Sequence, residues 1–434
     1  MNQGKFKRML LAAVFGVLLS AVWMFSGCSS LRPLITDVAF QPSTISPNAD
    51  GKNDVTHVFY RLSRSANLTV YFTDARGRKF YLRKNRRRSA GKYDLFWGGV
   101  IPTHERLRDK YFDGLVLDKV LPDGTYTYTF EAVDDKGYRQ VVTGHIKIEN
   151  ADTELPELRK FSLSQTIFSP NQDGIDDRVG ITYYLNKKAS EVLVYLLAPD
   201  GITKYPIDEV ERNIPPGSPG IHYYDYDAGI DKRAEPPPDG TYTVVGEVTD
   251  LVGNHTMVTR TLTITEGGVP RADILNGVVD FSSKAVPLGG KLVFTATVEN
   301  IGKVPIRTSG PPPGTVYHID ENFNTLAKKS GNTEWYEQPG VWRFGINFET
   351  NAGVPYPFRF AVGTKKDLVK RVIHGKTYYY LMPGHRGLVT GTIIIDEKQP
   401  RDHVYFWGGL IHEEVGIESF NNYVDPHEIY IGQP

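Results

Sequence analysis

Four groups of residues in this chain have types and spacings that suit chemistry. The first is a single thiol. Cys28 is the only cysteine among 434 residues, so it has no disulfide partner and no companions for a thiolate zinc site. It follows directly on an apolar run, Leu10 to Phe25, where a thiol is placed to carry a lipid. The second group is a pair of oxygen-rich loops. Ser46, Asn48, Asp50 and Asp54 recur as Ser169, Asn171, Asp173 and Asp177, with Gly51 and Gly174 at the sharp turn. Oxygen donors on alternate residues, then Gly, match the first half of a Ca²⁺ loop, which makes Ca²⁺ the one candidate cofactor. The bidentate Glu expected later in such a loop is missing, because His57 and Gly180 stand there. The same residues suit a second chemistry, a turn that caps itself by side-chain-to-backbone hydrogen bonds.

The third group is basic. Arg76, Arg78, Lys79, Arg83, Lys84, Arg86, Arg87 and Arg88 lie in one short stretch with no acid among them. Read as a hairpin, Arg83, Lys84, Arg86, Arg87 and Arg88 form a candidate patch for an anionic ligand; as a charge run they also suit a solvated connection. The fourth group is aromatic. Trp335 and Trp342, near Tyr336 and Trp407, form a candidate sugar-stacking platform, although Trp in a β-sandwich ordinarily packs in the core. No catalytic layout is present: there is no Gly-x-Ser-x-Gly elbow, P-loop or Gly-x-Gly-x-x-Gly. The six histidines from His318 to His427 follow no metal spacing, and His412-Glu413-Glu414 lacks the second His of a zinc helix. The expectation is a non-enzyme with no transition-metal site.

Lys5, Lys7 and Arg8 precede the apolar run, and no acid does. The run is too short for an ordinary spanning helix and follows the plan of an export signal. Phe25-Ser26-Gly27-Cys28 resembles a bacterial lipobox, with Phe25 where Leu is usual. That resemblance implies cleavage before Cys28 and a lipid, palmitate included, at its thiol and new N-terminus. It places the protein outside the cytoplasm on the cell membrane, or on the outer membrane or cell surface of a two-membraned cell, as Ser29 suggests. The mature chain then has 47 basic and 50 acidic side chains, a net charge of −3. This balance and the export signal exclude nucleic acid as a partner.

The elements that carry these groups are β-strands. The oxygen-rich loop returns at an offset of 123 residues, and Pro122-Asp123-Gly124-Thr125-Tyr126 returns as Pro238-Asp239-Gly240-Thr241-Tyr242 at a shorter one. Two homologous modules that differ by insertions explain the drift. Leu68 to Phe72 alternates apolar and polar residues, as does Leu292 to Val298, the mark of half-buried strands. No stretch after Cys28 keeps a helical period. With about 12% aromatics and abundant turn residues, the fold class is all-β, as tandem immunoglobulin-like sandwiches. The boundaries are 1–27 for the signal peptide, 28–37 for a linker and 38–150 for module one. A second linker spans 151–157, module two spans 158–265, and the C-terminal sandwich spans 271–434.

Ser-Pro-Asn-x-Asp-Gly, a Tyr-x-Leu strand, and Pro-Asp-Gly-Thr-Tyr together resemble the Ig-like domain of the flagellar hook-capping protein. The Trp-Asp-Gly usual in that family is replaced by Trp97-Gly98-Gly99 and Tyr224-Asp225-Tyr226. Asn300-Ile301-Gly302-Lys303-Val304-Pro305 resembles the strand-turn of CARDB-type adhesion modules. These resemblances imply spacer and adhesive roles. The expected protein presents a C-terminal domain to a protein or glycan ligand at the cell surface. Glycan capture and scaffolding of a surface appendage are the alternatives.

Overall fold

The computed structural model describes residues 32–210 and 214–432; Cys28 and the export signal lie outside this range. Apolar residues alternate along the chain and the described residues answer with strands. In Ala66–Thr73 every second side chain is buried, which puts Ala66, Leu68, Val70 and Phe72 on one face of a pleated strand. Two such faces packed together make each sandwich.

Module one comprises β1 (Ile35–Gln41), β2 (Thr44–Ile45), β3 (Thr56–Leu62), β4 (Ala66–Thr73), β5 (Lys79–Arg88) and β6 (Gly91–Trp97). After β7 (Val100–Arg108) and β8 (Asp113–Val120) it closes with β9 (Gly124–Asp134) and β10 (Arg139–Ile148). One sheet runs β1-β3-β6 and the other β2-β10-β9-β4-β5. Between them the ring of Phe72 stacks on Trp97 with centroids 4.3 Å apart.

Module two repeats this plan. Its strands are β11 (Leu158–Leu163), β12 (Ile167–Phe168), β13 (Val179–Leu185), β14 (Ala189–Leu197), β15 (Lys204–Pro206), β16 (Gly220–Tyr226), β17 (Gly240–Asp250) and β18 (His255–Ile264). The small sheet is again β11-β13-β16. Pairing also corrects the sequence alignment of the modules. Trp97 lies opposite Thr56, and Tyr226 lies opposite the equivalent Val179, so Tyr226 occupies the Trp97 position and Tyr226-Asp227-Ala228 answers Trp97-Gly98-Gly99.

The hairpin β7-β8 accounts for the drift in repeat offset. It belongs by sequence to module one, yet it extends the large sheet of module two, in the order β15-β14-β17-β18-β8-β7. His255, Thr256 and Met257 pair with Asp118, Val116 and Leu115.

The C-terminal sandwich packs a four-stranded sheet on a larger one. The first holds Ala272–Phe281, Gly290–Asn300, Arg386–Ile395 and Val316–His318. The second is centred on Trp342–Phe348 and His403–His412. Leu292, Phe294, Ala296 and Val298 point into the core as their alternation predicts. Among the described residues one α-helix departs from the all-β expectation. Phe323–Ser330 is nucleated by a reciprocal capping box between Asn322 and Thr325 and ended by Gly331 at φ 68°. Its Phe323 ring lies 4.1 Å beneath the Arg359 guanidinium, so tertiary packing supports a helix of only two turns.

Candidate functional site: the repeated loops and the domain junctions

The oxygen-rich loop of module one is a self-capped turn. Asp54 Oδ1 accepts the amide hydrogens of Asn48 at 3.1 Å and Ala49 at 2.8 Å, and Oδ2 accepts that of Gly51 at 2.8 Å. Asn48 Oδ1 takes the Asp50 amide and Asp50 Oδ1 takes the Lys52 amide. Ser46 Oγ accepts from the Asn48 side chain. Module two builds the same turn. Asp177 accepts from Asn171 and Gly174, Asn171 from Asp173, and Asp173 from Ile175. Ser169 Oγ donates to the Ile175 carbonyl. The donors a cation loop would turn inward are thus spent on backbone N–H groups. Among the described residues no group of three His, Cys, Asp or Glu side chains is placed to hold a metal.

Each turn meets the other repeated motif at its module's exit. Asp123 of Pro-Asp-Gly accepts the amides of Asn150 and Ala151, and its counterpart Asp239 accepts those of Glu266 and Gly267. Pro47 O receives the Asp152 amide just as Pro170 O receives the Gly268 amide. Tyr126 and Tyr242 donate back to Pro122 O and Pro238 O, both at 2.7 Å. The two motifs that define the repeat therefore clamp the chain where it passes to the next domain.

The first junction is a strand exchange. Beyond the β8-β18 pairing, Phe112 from the inserted hairpin is 1% exposed and packs in module two's core. Asn254 Oδ1 accepts the Val120 amide at 2.8 Å, while its amide nitrogen donates to Asp152 O and to Asp250. Lys187 bridges Asp152 of the linker to Asp250. The residues expected to form a polar linker are held by both neighbours.

The second junction buries the module-two turn against the C-terminal sandwich. Tyr380 Oη donates to Asp173 Oδ2 at 2.8 Å. His412 Nε2 donates to Gln172 O at 2.8 Å and its ring stacks on Trp342. Arg371 forms a two-pronged ion pair with Glu266, and His374 meets Asp176 at 2.7 Å. A Cβ on Gly174 would stand 2.2 Å from Pro339 O, and one on Gly340 would stand 2.2 Å from the Asp173 carbonyl carbon. Gly51, the module-one counterpart of Gly174, has open space there. Burial raises the Asp173 carboxyl, and burial together with the Asp173 charge pushes Asp177 up to about 6. Burial depresses His412 to about 4. The reading of the C-terminal histidines as scattered surface or loop residues fails at His412, which the junction encloses.

The other candidates separate. Trp342 is 4% exposed and sits in the core, so it does not share a sugar platform with the half-buried Trp335. The turn bearing Trp335 is tied inward by Arg343, which donates to the carbonyls of Ser309, Trp335 and Tyr336. Glu413 is buried against Arg343 and Arg359, an internal ion cluster in place of a metal helix. From Lys79 to Arg88 the basic run forms the edge strand β5, paired in a hairpin with β4, and Arg76 and Arg78 lie in the connecting turn. Arg83, Arg86 and Arg88 lie opposite Val70, Leu68 and Ala66, so all three project to one face. Arg88 lies over the Tyr93 ring, and Lys84 over Tyr81. Arg87 projects oppositely and pairs with Asp135.

No family model matches the chain, and neither does any curated protein. Among solved structures it is similar to the tetra-tandem repeat in the extending region of a large adhesion protein. That match has 10% identity and a TM-score of 0.19, and covers 85% of this chain and 80% of that one. It is also similar to a Ca²⁺-stabilized adhesin of an Antarctic bacterium, at 11% identity and a TM-score of 0.21, covering 92% and 73%. A third similarity is to the Bacteroides ovatus mixed-linkage glucan utilization protein SGBP-B in complex with a heptasaccharide. Its identity is 11% and its TM-score 0.15, covering 93% and 70%. Likenesses at these scores carry no argument about function.

Proposed function

We propose that this chain is a non-catalytic, lipid-anchored extracytoplasmic protein. In this reading Cys28 carries the anchor, two Ig-like modules form a stiff spacer, and the C-terminal sandwich is presented away from the membrane. The observation that carries the stiff spacer is the construction of both junctions. One is bridged by strand pairing and a shared core residue, the other by a buried turn locked under Tyr380 and His412. Freely jointed modules would need only short polar linkers.

Two measurements test it. A palmitate analogue fed to cells labels the wild type and leaves Cys28→Ala unlabelled; label persisting in the variant removes the anchor. The chain from Ser29 onward has no cysteine, so spin labels introduced at Lys52→Cys and Lys398→Cys report a single distance. A narrow distribution supports the stiff spacer, and a broad one refutes it.

Glycan capture keeps one favourable observation. A cleft of about 800 Å³ at the second junction is lined by Arg307, Lys370, Lys376, Tyr378, Tyr379 and Gln338. Cations beside tyrosine rings suit an acidic sugar. Glycan-array binding that Tyr378→Ala abolishes would favour this reading over a purely structural role.

A further inference from the structure

We infer that the N-terminal end of module one is a docking face for anionic lipid headgroups, a second membrane contact beside the anchor. The inference rests on the reading of Cys28 as the lipidated residue.

Strand register defines the two ends of module one. Ile35 pairs with Leu62 and Leu62 with Gly91; Ala66 pairs with Arg88 and with Asp134. All these pairs lie at the end where the described chain begins, with Arg32. The opposite end holds the clamp motifs and faces module two. Cys28 precedes Arg32 by four residues, a reach of at most about 14 Å when extended. Lipid insertion at Cys28 therefore holds this end within reach of the bilayer surface.

That end is cationic beyond its internal needs. Asp134 is paired with Arg64, and Asp135 with Arg87. Arg32, Arg61, Arg86, Arg88, Lys92 and Lys136 have no carboxylate partner among the described residues. All but Arg88 are exposed. Arg88 lies over Tyr93, with its Nε buried and without a hydrogen-bond partner. The mature chain is net negative by composition, so this concentration is local. Screening confines attraction to about 8 Å at physiological ionic strength, and the short tether keeps the face near that range. Each basic residue at an anionic surface strengthens binding about fivefold.

The test uses the chain from Ser29 onward, which contains every described residue and no lipid. It is mixed with vesicles of phosphatidylcholine, alone or with an equal part of phosphatidylglycerol, and sedimented at low and high salt. Binding to the anionic vesicles that high salt removes is expected, with none to phosphatidylcholine alone. Arg86→Glu/Lys92→Glu/Lys136→Glu should weaken binding more than 100-fold. The charge-matched control Lys52→Glu/Lys291→Glu/Lys398→Glu should keep most of it, with unchanged melting temperatures confirming that both variants fold. Absence of binding to anionic vesicles, or equal loss in the control, overturns the docking face. Persistent palmitate label in Cys28→Ala would instead overturn the anchor, so the two failures are told apart.

Discussion

Gly174 and Gly51 occupy the same place in the same turn, and only one of them has a neighbour. Their φ values are 78° and 82°, so replacing either by Ala forces a side chain into the left-handed region at a cost of about 1–2 kcal/mol. For Gly51 nothing lies within 4 Å of the new Cβ, and the cost ends there. For Gly174 the Cβ would sit 2.2 Å from Pro339 O, so the junction must open by over an ångström to restore ordinary contact. Such an opening takes the Tyr380–Asp173 hydrogen bond from 2.8 Å past the usable range. Asp173 Oδ2 is left without its Tyr380 donor, while Oδ1 keeps the Ile175 amide, which costs about 1–3 kcal/mol more. Three joined sandwiches do not unfold as one two-state unit, so the assay is native-state hydrogen exchange read by peptide. The Gly268 amide, bonded to Pro170 O at the junction, is the reporter. Gly174→Ala should speed its exchange about tenfold or more, and Gly51→Ala should leave it unchanged. Equal exchange in the two variants would refute the claim that this turn is a seat for the C-terminal domain.

Other expectations follow from the same geometry. Phe112→Ala should cost about 3–5 kcal/mol, and calorimetry should show the loss in module two's transition, although the residue lies in the first repeat. His412 is held near 4 by burial. Its contribution to docking is present above about 6.5 and is lost as pH falls toward 4, for about 3 kcal/mol in all. Asp177, raised to about 6, has the opposite sign: its contribution grows as pH falls from 6 toward 3.8. Asp173, also raised by burial, acts in the same direction as Asp177, so His412→Gln should shift the response to acidification from pH 7 to 5 toward tightening, measured as slower Gly268 exchange than in the wild type at pH 5. Melting temperatures should be the same in Ca²⁺ and in chelator, because the Asp54 and Asp177 oxygens already accept backbone N–H groups; a rise with Ca²⁺ would show that the turns rearrange around the ion.

Local patterns were legible in the sequence wherever burial alternates with the strand period. Leu68 to Phe72 and Leu292 to Val298 told which face is inward, because a pleated strand leaves no other choice. The repeat also exposed both turn motifs, and the self-capped reading of the Asn/Asp loops needed only local chemistry. What the turns rest against was not legible: Gly51 and Gly174 are the same residue in the same motif, and only the fold distinguishes them. Phe112 is apolar whichever sheet its hairpin joins, so the offset drift revealed an insertion without its destination. Trp342 alternates with Phe344, Ile346 and Phe348, and it lies in the core, the ordinary place of Trp in a sandwich. Asn322-Phe323-Asn324-Thr325 does hold a capping signal, but eight residues are too few for a helical period to stand out. The charges of β5 hid a strand because its pairing partner, β4, supplies the apolar face.

Hydrogen bonding between Val120 and Asn254 joins residues 134 positions apart, and this sets a timetable for folding. A chain delivered N-terminus first releases the β7-β8 hairpin long before β18 exists to receive it. During that interval Phe112 is bare and β8 presents an unsatisfied edge, the kind of surface that recruits the wrong partner. The hairpin can therefore settle only once the second module has folded, although the sheets of the first are complete without it, and a protein cut at residue 150 would carry a permanent version of that transient wound.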